Sequence, residues 1–193
     1  MGCRFMIHEK CMLFNPEFQS TLKETSEDTK AKEFMTTCSM DAINFDKIMQ
    51  CYANQIRCPI PKSCDSLVVR NDELYLIEFK NGKIDDEVNM NIKLKIYESL
   101  LVLLDVVEKN IRYSREHVHL ILVYNESKFH PSKQFKKYRK SKAFIGKKIS
   151  SYAEKPFIQF GLNNFQNFHF KTVNTYTQQE FEENFVNMIS SSS

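Results

Sequence analysis

Residues 64 to 80 read CDSLVVRNDELYLIEFK, with two apolar runs on either side of a polar turn at residues 71 and 72. This pattern predicts a β-hairpin with the turn at its tip. The register of the hairpin then places Asp65 across from Glu78, and residues directly opposed in a hairpin have Cβ atoms about 5 Å apart. Because side chains alternate along a strand, Lys80 lies on the same face as Glu78. The sequence therefore predicts two facing carboxylates with a lysine beside them.

Two opposed carboxylates destabilise a sheet unless a positive charge compensates them. A divalent cation resolves this conflict, because Mg²⁺ in proteins takes one or two carboxylates, keeps several waters and binds substrate phosphate. In such a site Lys80 polarises the attacking water or stabilises the charge that develops on a phosphate. In the simpler alternative, Glu78 and Lys80 lie at a solvated strand end and form an ordinary salt bridge with Asp65.

The spacing of these residues resembles that of the PD-(D/E)xK nuclease superfamily, which has the restriction-endonuclease-like fold. In that family one acidic residue lies early in a strand and an E-x-K motif lies in the next strand, as Asp65 and the run Glu78-Phe79-Lys80 do here. The resemblance covers roughly residues 64 to 97 and implies that Asp65, Glu78 and the Phe79 carbonyl bind Mg²⁺ or Mn²⁺. It also implies that Lys80 is the catalytic lysine. Cys64 stands where the family often has proline, a difference that removes no catalytic group.

Residues 85 to 110 are predicted to form a helix after the hairpin, because acidic residues suit its first turn and apolar residues recur at helical spacing. In nucleases of this superfamily a Gln or Lys on this helix often reaches the active site, in some branches four residues before a tyrosine. By this resemblance Lys93, four residues before Tyr97, contacts the scissile phosphate, and Lys95 is its rival. In the alternative, Lys93 lies at the surface and Tyr97 in the core.

Residues 117 to 124 form a nearly continuous apolar run, which is typical of a strand buried on both faces in a central, often parallel, position. A hairpin, a helix and then this strand is the order that the resemblance implies for the nuclease core. Nearer the C-terminus, residues 157–160 and 168–173 resemble strands, and a capping box at 177–180 begins an amphipathic helix.

The N-terminal third is predicted to be mostly helical. Residues 25–28 offer helix N-caps, and apolar residues between 42 and 52 recur at helical spacing. Relatives of the nuclease fold often place a further acidic residue before the sheet, for which Glu33 and Glu24 are the candidates.

The basic segment, residues 128–148, contains nine lysines and arginines and no acidic residue, although the whole chain carries a net charge of only +3. Interleaved aromatic residues make it suited to neutralise phosphates and to stack on bases. In the alternative it is a solvated basic surface or contacts an acidic protein. The residues predicted to bind nucleic acid are Lys133, Lys136, Lys137, Arg139, Lys140, Lys142, Lys147 and Lys148.

A length of 193 residues and 42% hydrophobic content suit one globular domain. We expect an α/β domain with a mixed central sheet flanked by helices, restriction-endonuclease-like. Its parts are a helical region at 1–60, the hairpin-helix-strand core at 64–124, the basic segment at 128–148, and strands followed by a helix at 157–190.

The chain has no apolar run long enough to cross a bilayer and no recognisable signal peptide, so we expect a cytoplasmic protein without membrane contact. Its six cysteines lie in the first third at irregular spacings, which favours free thiols over disulfides or a zinc site.

These patterns predict a metal-dependent nuclease that hydrolyses phosphodiester bonds in DNA or RNA, with a role in defence, repair or mobile elements implied by the resemblance. The alternative is a catalytically inactive nuclease-fold protein that binds nucleic acid or a nucleic-acid-handling complex, as an adaptor or inhibitor. A third interpretation is a protein-interaction domain with an acidic partner. Because many enzymes of this fold class act as dimers, a homodimer is also a candidate assembly.

Overall fold

The computed structural model describes Leu13, residues 15–128 and residues 158–191. Eight strands are present in these ranges: β1 Gln19–Thr21, β2 Glu27–Asp28, β3 Glu33–Phe34, β4 Asp41–Asn44, β5 Ser66–Arg70, β6 Glu73–Lys80, β7 Val118–Tyr124 and β8 Thr172–Thr177. The α-helices are α1 Leu22–Thr25, α2 Phe45–Ile56, α3 Asp86–Val106, α4 Ile111–His117, α5 Gln178–Phe181 and α6 Asn187–Ser191, with a π-helical turn at Glu182–Val186 between the last two.

Six strands form one mixed sheet in the order β1-β4-β5-β6-β7-β8, and β2 and β3 form a separate small ribbon. The pairs from β1 to β6 are antiparallel, whereas β7 lies parallel to both β6 and β8. The connection from β6 to β7 runs through α3 and α4, as parallel neighbours require a crossover. The predicted single α/β domain with a mixed sheet and flanking helices is confirmed, as is the central parallel position of β7.

The predicted hairpin is confirmed in its register. Val69 pairs with Leu74 and Leu67 pairs with Leu76. Asn71 and Asp72 form the turn with φ of 48° and 62°. Two successive left-handed residues are the geometry of a type I′ turn, whose twist matches that of the strands, and Asn and Asp tolerate it better than other non-glycine residues.

Helix α3 begins where the sequence predicts, because the Asp85 side chain accepts a hydrogen bond from the N–H of Val88. It ends at Val106, four residues before the predicted end. Glu108 has a φ of 50°, and Asn110 caps the separate helix α4. A left-handed residue breaks a helix, which is why the apolar pattern continues past the break while the helix does not.

The sheet is buried on both faces. One face carries Leu74 and Leu76, which pack against Ile92, Ile96 and Leu103 of α3. The opposite face carries residues 77 and 79, which pack against the C-terminal helical region. Because side chains alternate along β6, Glu78 points to the α3 side of the sheet.

The predicted helical character of residues 1–60 is wrong for much of the described part. Residues 27–34 form the ribbon of β2 and β3, and Ala42 belongs to β4. Only α2 has the predicted amphipathic character, with buried Phe45, Ile48 and Met49. Strands of two to four residues are fixed by their pairing partners, which local propensity does not reveal.

Two strand predictions in the C-terminal part are also wrong in their positions. Residues 158–160 are not a strand, because Phe160 and Gly161 both have left-handed φ angles of 59° and 67°. The strand predicted at 168–173 lies at Thr172–Thr177. The capping box between Thr177 and Glu180 is confirmed.

The eight basic residues predicted to bind nucleic acid, Lys133, Lys136, Lys137, Arg139, Lys140, Lys142, Lys147 and Lys148, lie outside the described residues, as does Phe157. Of the basic segment only Lys128 is described. Within the described ranges, no helix combines the length and apolar character needed to cross a membrane.

The turn geometry predicts the effect of substitutions at Asp72. Asp72→Val places a β-branched residue at a left-handed position and should lower the free energy of unfolding by about 1–2 kcal/mol. Asp72→Gly should not lower it, because glycine adopts this conformation freely. Urea denaturation measures both, with Asp41→Val at an exposed strand position as the control. Equal destabilisation by valine at 72 and 41 would contradict the turn assignment.

Candidate functional site

Glu78 lies near the end of β6 with its carboxylate buried beneath α3, and its side chain is only 2% exposed. The apolar residues Leu74 and Leu76 precede it on the same face and draw this side of the strand into the core. A charged carboxylate in this position is costly unless another charged group compensates it. The environment of Glu78 is therefore the feature around which the candidate site is built.

Asp65 approaches Glu78 from the residue before β5. Its Oδ2 accepts a 2.6 Å hydrogen bond from the main-chain N–H of Phe79, and its own N–H donates to the carbonyl of Ile77. The last main-chain pair of the hairpin is Ser66 with Ile77. The hydrogen bond to the Asp65 side chain links the two segments beyond that pair. Asp65 and Glu78 are brought together as the sequence predicts. The role of the Phe79 carbonyl as a metal ligand stays a prediction.

The loop before β5 is fixed from both helices that cover this face. The N–H of Cys64 donates to the Ser99 hydroxyl of α3 over 2.7 Å, and both residues are fully buried. The N–H of Lys62 donates to Glu98 of α3, and the Ser63 hydroxyl donates to Asp46 of α2. Consecutive anchors of this kind leave Asp65 little freedom to move away from Glu78.

Lys95 of α3 provides the compensating charge. Its ammonium group lies 2.8 and 3.0 Å from the two oxygens of Glu78 and 3.4 Å from Oδ1 of Asp65. Its side chain remains 31% exposed, so the amine reaches the carboxylates from the solvent side. The helix lysine at the carboxylate pair is therefore Lys95, the residue that the sequence leaves as the rival of Lys93.

The structure places Lys93 and Tyr97 away from the carboxylate pair. Among the described residues no hydrogen bond joins Lys93 to either acid, and its amine lies beside Gly161. Tyr97 is 43% exposed and packs against the rings of Phe165 and His169. Lys95 lies three residues after buried Ile92 and four before buried Ser99, so it is on the buried side of α3, which the sequence pattern does not distinguish.

Lys80, the last residue of β6, occupies the same face as Glu78 one pleat further along the strand. Within the described residues its amine forms no ion pair. Its positive charge still acts on Glu78, where it offsets a small part of the rise in the pKa of that acid. The two lysines thus differ, because Lys95 is engaged with the acids whereas Lys80 stands next to them.

Burial dominates the titration of both acids. It raises the pKa of Glu78 well above its ordinary value, repulsion from Asp65 raises it further, and attraction to Lys95 opposes both effects. The pKa of Asp65 is also raised by burial, against the attraction of Lys95. The two carboxylates in turn raise the pKa of Lys95, so its amine stays protonated across the neutral range. These opposing directions are what a desolvated acid pair sharing one cation produces.

The two carboxylates fit a small divalent cation in chemistry and convergence. Both supply hard oxygen ligands, and one positive group, the Lys95 amine, already lies within 3.4 Å of each acid. Mg²⁺ needs no more than one or two protein carboxylates when water and a phosphate complete its shell. Among the described residues no cluster of three or more His, Cys, Asp or Glu side chains could hold a metal ion. A cation here would therefore depend on Asp65 and Glu78 as its acidic ligands, with water, a phosphate or the predicted Phe79 carbonyl completing the shell.

A second polar cluster, at the ends of β6 and β7, was not recognised as a unit from the sequence. The Asn81 amide donates to Asp28 over 3.1 Å and to Glu33 over 2.9 Å. Lys128 donates to Glu33 over 3.2 Å, and Asn125 donates to Asn81. Glu33 thus lies on the ribbon and not on a helix, and it fixes the start of the basic segment to the sheet.

His119 lies at the other end of the sheet from the acid pair. Its Nε2 is 2.9 Å from Glu73 and its Nδ1 is 2.7 Å from Thr172, while Tyr75 stacks on its ring. Glu73 and Glu78 are five residues apart on one strand, which corresponds to about 17 Å. His119 therefore joins strands β6, β7 and β8 at this end of the sheet and takes no part in the acid pair.

The chain matches no protein family, no curated protein and no solved structure. The resemblance to PD-(D/E)xK nucleases accordingly stays a prediction that rests on the residues of the site.

The ion pair predicts that Lys95→Met destabilises the metal-free protein by about 3 kcal/mol, because it leaves two desolvated carboxylates without a counter-charge. Lys93→Met, two residues away on the same helix, should change the free energy of unfolding by about 0.5 kcal/mol or less. Urea denaturation in EDTA measures both variants. Equal effects of the two substitutions would show that Lys95 does not compensate the acids.

The raised pKa of Glu78 predicts a pH dependence of stability. Above the ordinary value of 4.5, the unfolded chain releases a proton that the folded protein retains, so stability falls as pH rises towards the folded-state pKa. Glu78→Gln removes this effect, and its free energy of unfolding should decline less between about pH 5 and pH 8. Denaturation in EDTA across this range compares the two proteins. Parallel pH profiles would contradict a raised Glu78 pKa.

Proposed function

We propose that this protein is a metal-dependent nuclease whose active site comprises Asp65, Glu78 and Lys80. The observation that carries the proposal is the convergence of the buried Glu78 carboxylate, on β6, and the partly buried Asp65 carboxylate, just before β5, with a lysine amine next to them that has no ion-pair partner among the described residues. Burying an acid such as Glu78 beside a second carboxylate costs several kcal/mol in a site with no use for the pair. Strongly raised acid pKa values of this kind are common at functional sites.

Asp65 and Glu78 would hold a Mg²⁺ or Mn²⁺ ion, which when bound supplies Lewis acidity to a phosphodiester and lowers the pKa of water. The chain itself contributes position and charge. The hydrogen bond from Phe79 N–H orients Asp65, and the surrounding leucines keep bulk water from Glu78. Lys80 would place an ammonium group against the phosphoryl oxygens, where negative charge develops as the P–O bond breaks.

Lys95 has a different role in this proposal. Its ammonium group lies against both carboxylates, so the ion and the amine compete for the same oxygens. The partly exposed lysine side chain has room to turn outward when an ion binds. Once displaced, its charge remains available to a phosphate at the mouth of the site. We therefore assign to Lys95 the part that the resemblance suggested for Lys93.

Nucleic acid is the proposed substrate because of the basic segment. Its nine positive charges suit counterion release from a phosphate backbone. Lys128, the first of them, is bound to Glu33 beside the end of β6, the strand that carries Glu78 and Lys80. The basic segment therefore starts near the strand end that bears the proposed active site.

The second candidate is a catalytically inactive protein with the same binding surface, acting as an adaptor or inhibitor. The observation that favours it is the Lys95 ion pair itself, because an internal ammonium group satisfies both acids without any metal. In that case Asp65, Glu78 and Lys95 would form a structural element that fixes α3 to the hairpin. Metal binding distinguishes the two candidates.

Cleavage of single- and double-stranded DNA and RNA with Mg²⁺ or Mn²⁺ tests the proposal. We expect cutting that EDTA abolishes and that falls at least about 100-fold in Glu78→Gln, which loses a ligand of the ion, and in Lys80→Ala, which loses positive charge at the reacting phosphate. Lys83→Ala, at an exposed lysine just beyond the strand, should cut normally.

A thermal shift titration with Mg²⁺ gives a readout that does not depend on activity. Lys95→Met should be stabilised by Mg²⁺ more than the wild-type protein, because the ion no longer competes with the amine. Three results together would show that the inactive binder is correct and the nuclease proposal is wrong. No substrate is cut, Glu78→Gln still binds nucleic acid, and Mg²⁺ stabilises neither the wild-type protein nor Lys95→Met.

A further inference from the structure

The outer face of α3 carries a largely exposed apolar stripe, of which only Tyr97 has ring contacts, with Phe165 and His169, among the described residues. Met90, Leu94, Tyr97 and Leu101 are 65%, 42%, 43% and 68% exposed. They succeed one another at intervals of four, three and four residues, which places them on one side of the helix. Lys95 and Ile96 lie on the inner side, against the sheet. Helix α3 is therefore apolar on two faces, of which the sheet covers only one.

The stripe continues into a cleft at the C-terminal end of α3. Tyr97 and Leu101 line this cleft of about 600 Å³ together with Ile111 and Phe168, which are 38% and 61% exposed. At roughly 150–250 Å² for a large side chain, the six exposed residues present on the order of 500 Å² of apolar surface. The largest apolar patch of a typical monomer is about 300–600 Å², and patches of this size often mark interaction sites.

The spacing of the stripe is the same when read in either direction along the helix. A two-fold axis perpendicular to α3, midway between Leu94 and Tyr97, would bring Met90 opposite the partner's Leu101. The same axis would bring Leu94 opposite the partner's Tyr97. Alternating intervals of three and four form the seam of paired helices, and isologous dimers require a surface that is complementary to itself. The stripe meets both conditions for two antiparallel copies of α3.

Charge at the two ends of α3 supports the same orientation. The first turn is acidic, with Asp85, Asp86 and Glu87, whereas the charges at the C-terminal end balance, because Asp105, Glu108 and Glu116 accompany Lys109, Arg112 and Arg115. Antiparallel copies place the acidic end of one helix beside the neutral end of the other. A parallel arrangement would place like charges together and would align the helix dipoles unfavourably.

We propose that this protein forms a two-fold symmetric homodimer through the outer stripe of α3, with Met90 of each subunit entering the cleft beside Leu101 of the other. Its flexible side chain suits an irregular cleft. The apolar patch with a polar rim approaches the roughly 800 Å² per partner of a standard interface. The acid pair lies on the inner side of α3, away from the stripe, so the dimer does not cover it. The dimer depends only on α3 and not on whether the protein cuts nucleic acid.

Sedimentation velocity over a micromolar concentration range tests the dimer and its register. The full chain should sediment as a dimer, and Met90→Lys or Leu101→Glu alone should weaken it at least about 100-fold, because each substitution occurs twice in the interface. Met90→Lys and Leu101→Glu combined in one chain should restore it, since position 90 faces position 101 of the partner. Met90→Lys combined with Leu101→Lys should not.

Phe34→Glu is the matched control and should remain dimeric, because Phe34 is 43% exposed and adjoins Met35, which packs on the face of the sheet opposite α3. Positions 90 and 101 are largely exposed, so circular dichroism should show that both variants fold. A monomeric wild-type protein would overturn the proposal and leave the stripe to a different partner. A dimer that survives both single substitutions would also overturn it, and a charge pair that fails to restore the dimer would overturn the antiparallel register.

Discussion

The desolvated carboxylate of Glu78 constrains most of this structure. An acid that is 2% exposed needs a charged partner, and the partner comes from a helix that follows it in sequence. This requirement fixes α3 across the hairpin with Lys95 facing inward, and it draws Asp65 to the same point through the Phe79 N–H. Helix α3 is also part of the crossover that returns the chain to β7. The contact that places α3 over β6 therefore also suits the parallel pairing of β6 with β7.

The same contact links stability and chemistry. The buried Glu78 and the partly buried Asp65 share one ammonium group, and their carboxylates are the kind of oxygen ligand that a small divalent ion takes. The amine stabilises the fold when no ion is bound, and it must be displaced when one binds. The metal affinity of such a site depends on the difference in free energy between two states, one with the oxygens bound to the amine and one with them bound to the ion. In the proposed metal site, Lys95 would therefore set both the stability of the metal-free protein and the threshold for binding an ion.

Helix α3 also connects the interior of the molecule to its surface. Its inner side carries Ile92, Lys95, Ser99 and Leu103, and its outer side carries the exposed stripe. A helix that is apolar on both sides and covered on only one has a second surface to bury. A dimer through that surface would hold two acid pairs in fixed relation on the inner sides of two antiparallel helices.

The sequence by itself determined the features that local rules govern. The turn at Asn71-Asp72, the alternation along β6, the cap at Asp85 and the apolar run of β7 depend on neighbouring residues, and all are present. Only the tertiary structure decided which lysine reaches the acids. Lys93 and Lys95 are both on α3, and with apolar residues around most of the helix the pattern did not show which side faces the sheet. The short strands β1 to β4 were read as helical for a related reason, because strands of two to four residues exist through partners distant in sequence. Local patterns specify the elements, whereas the rotation of a helix and the pairing of short strands depend on the packing of the whole domain.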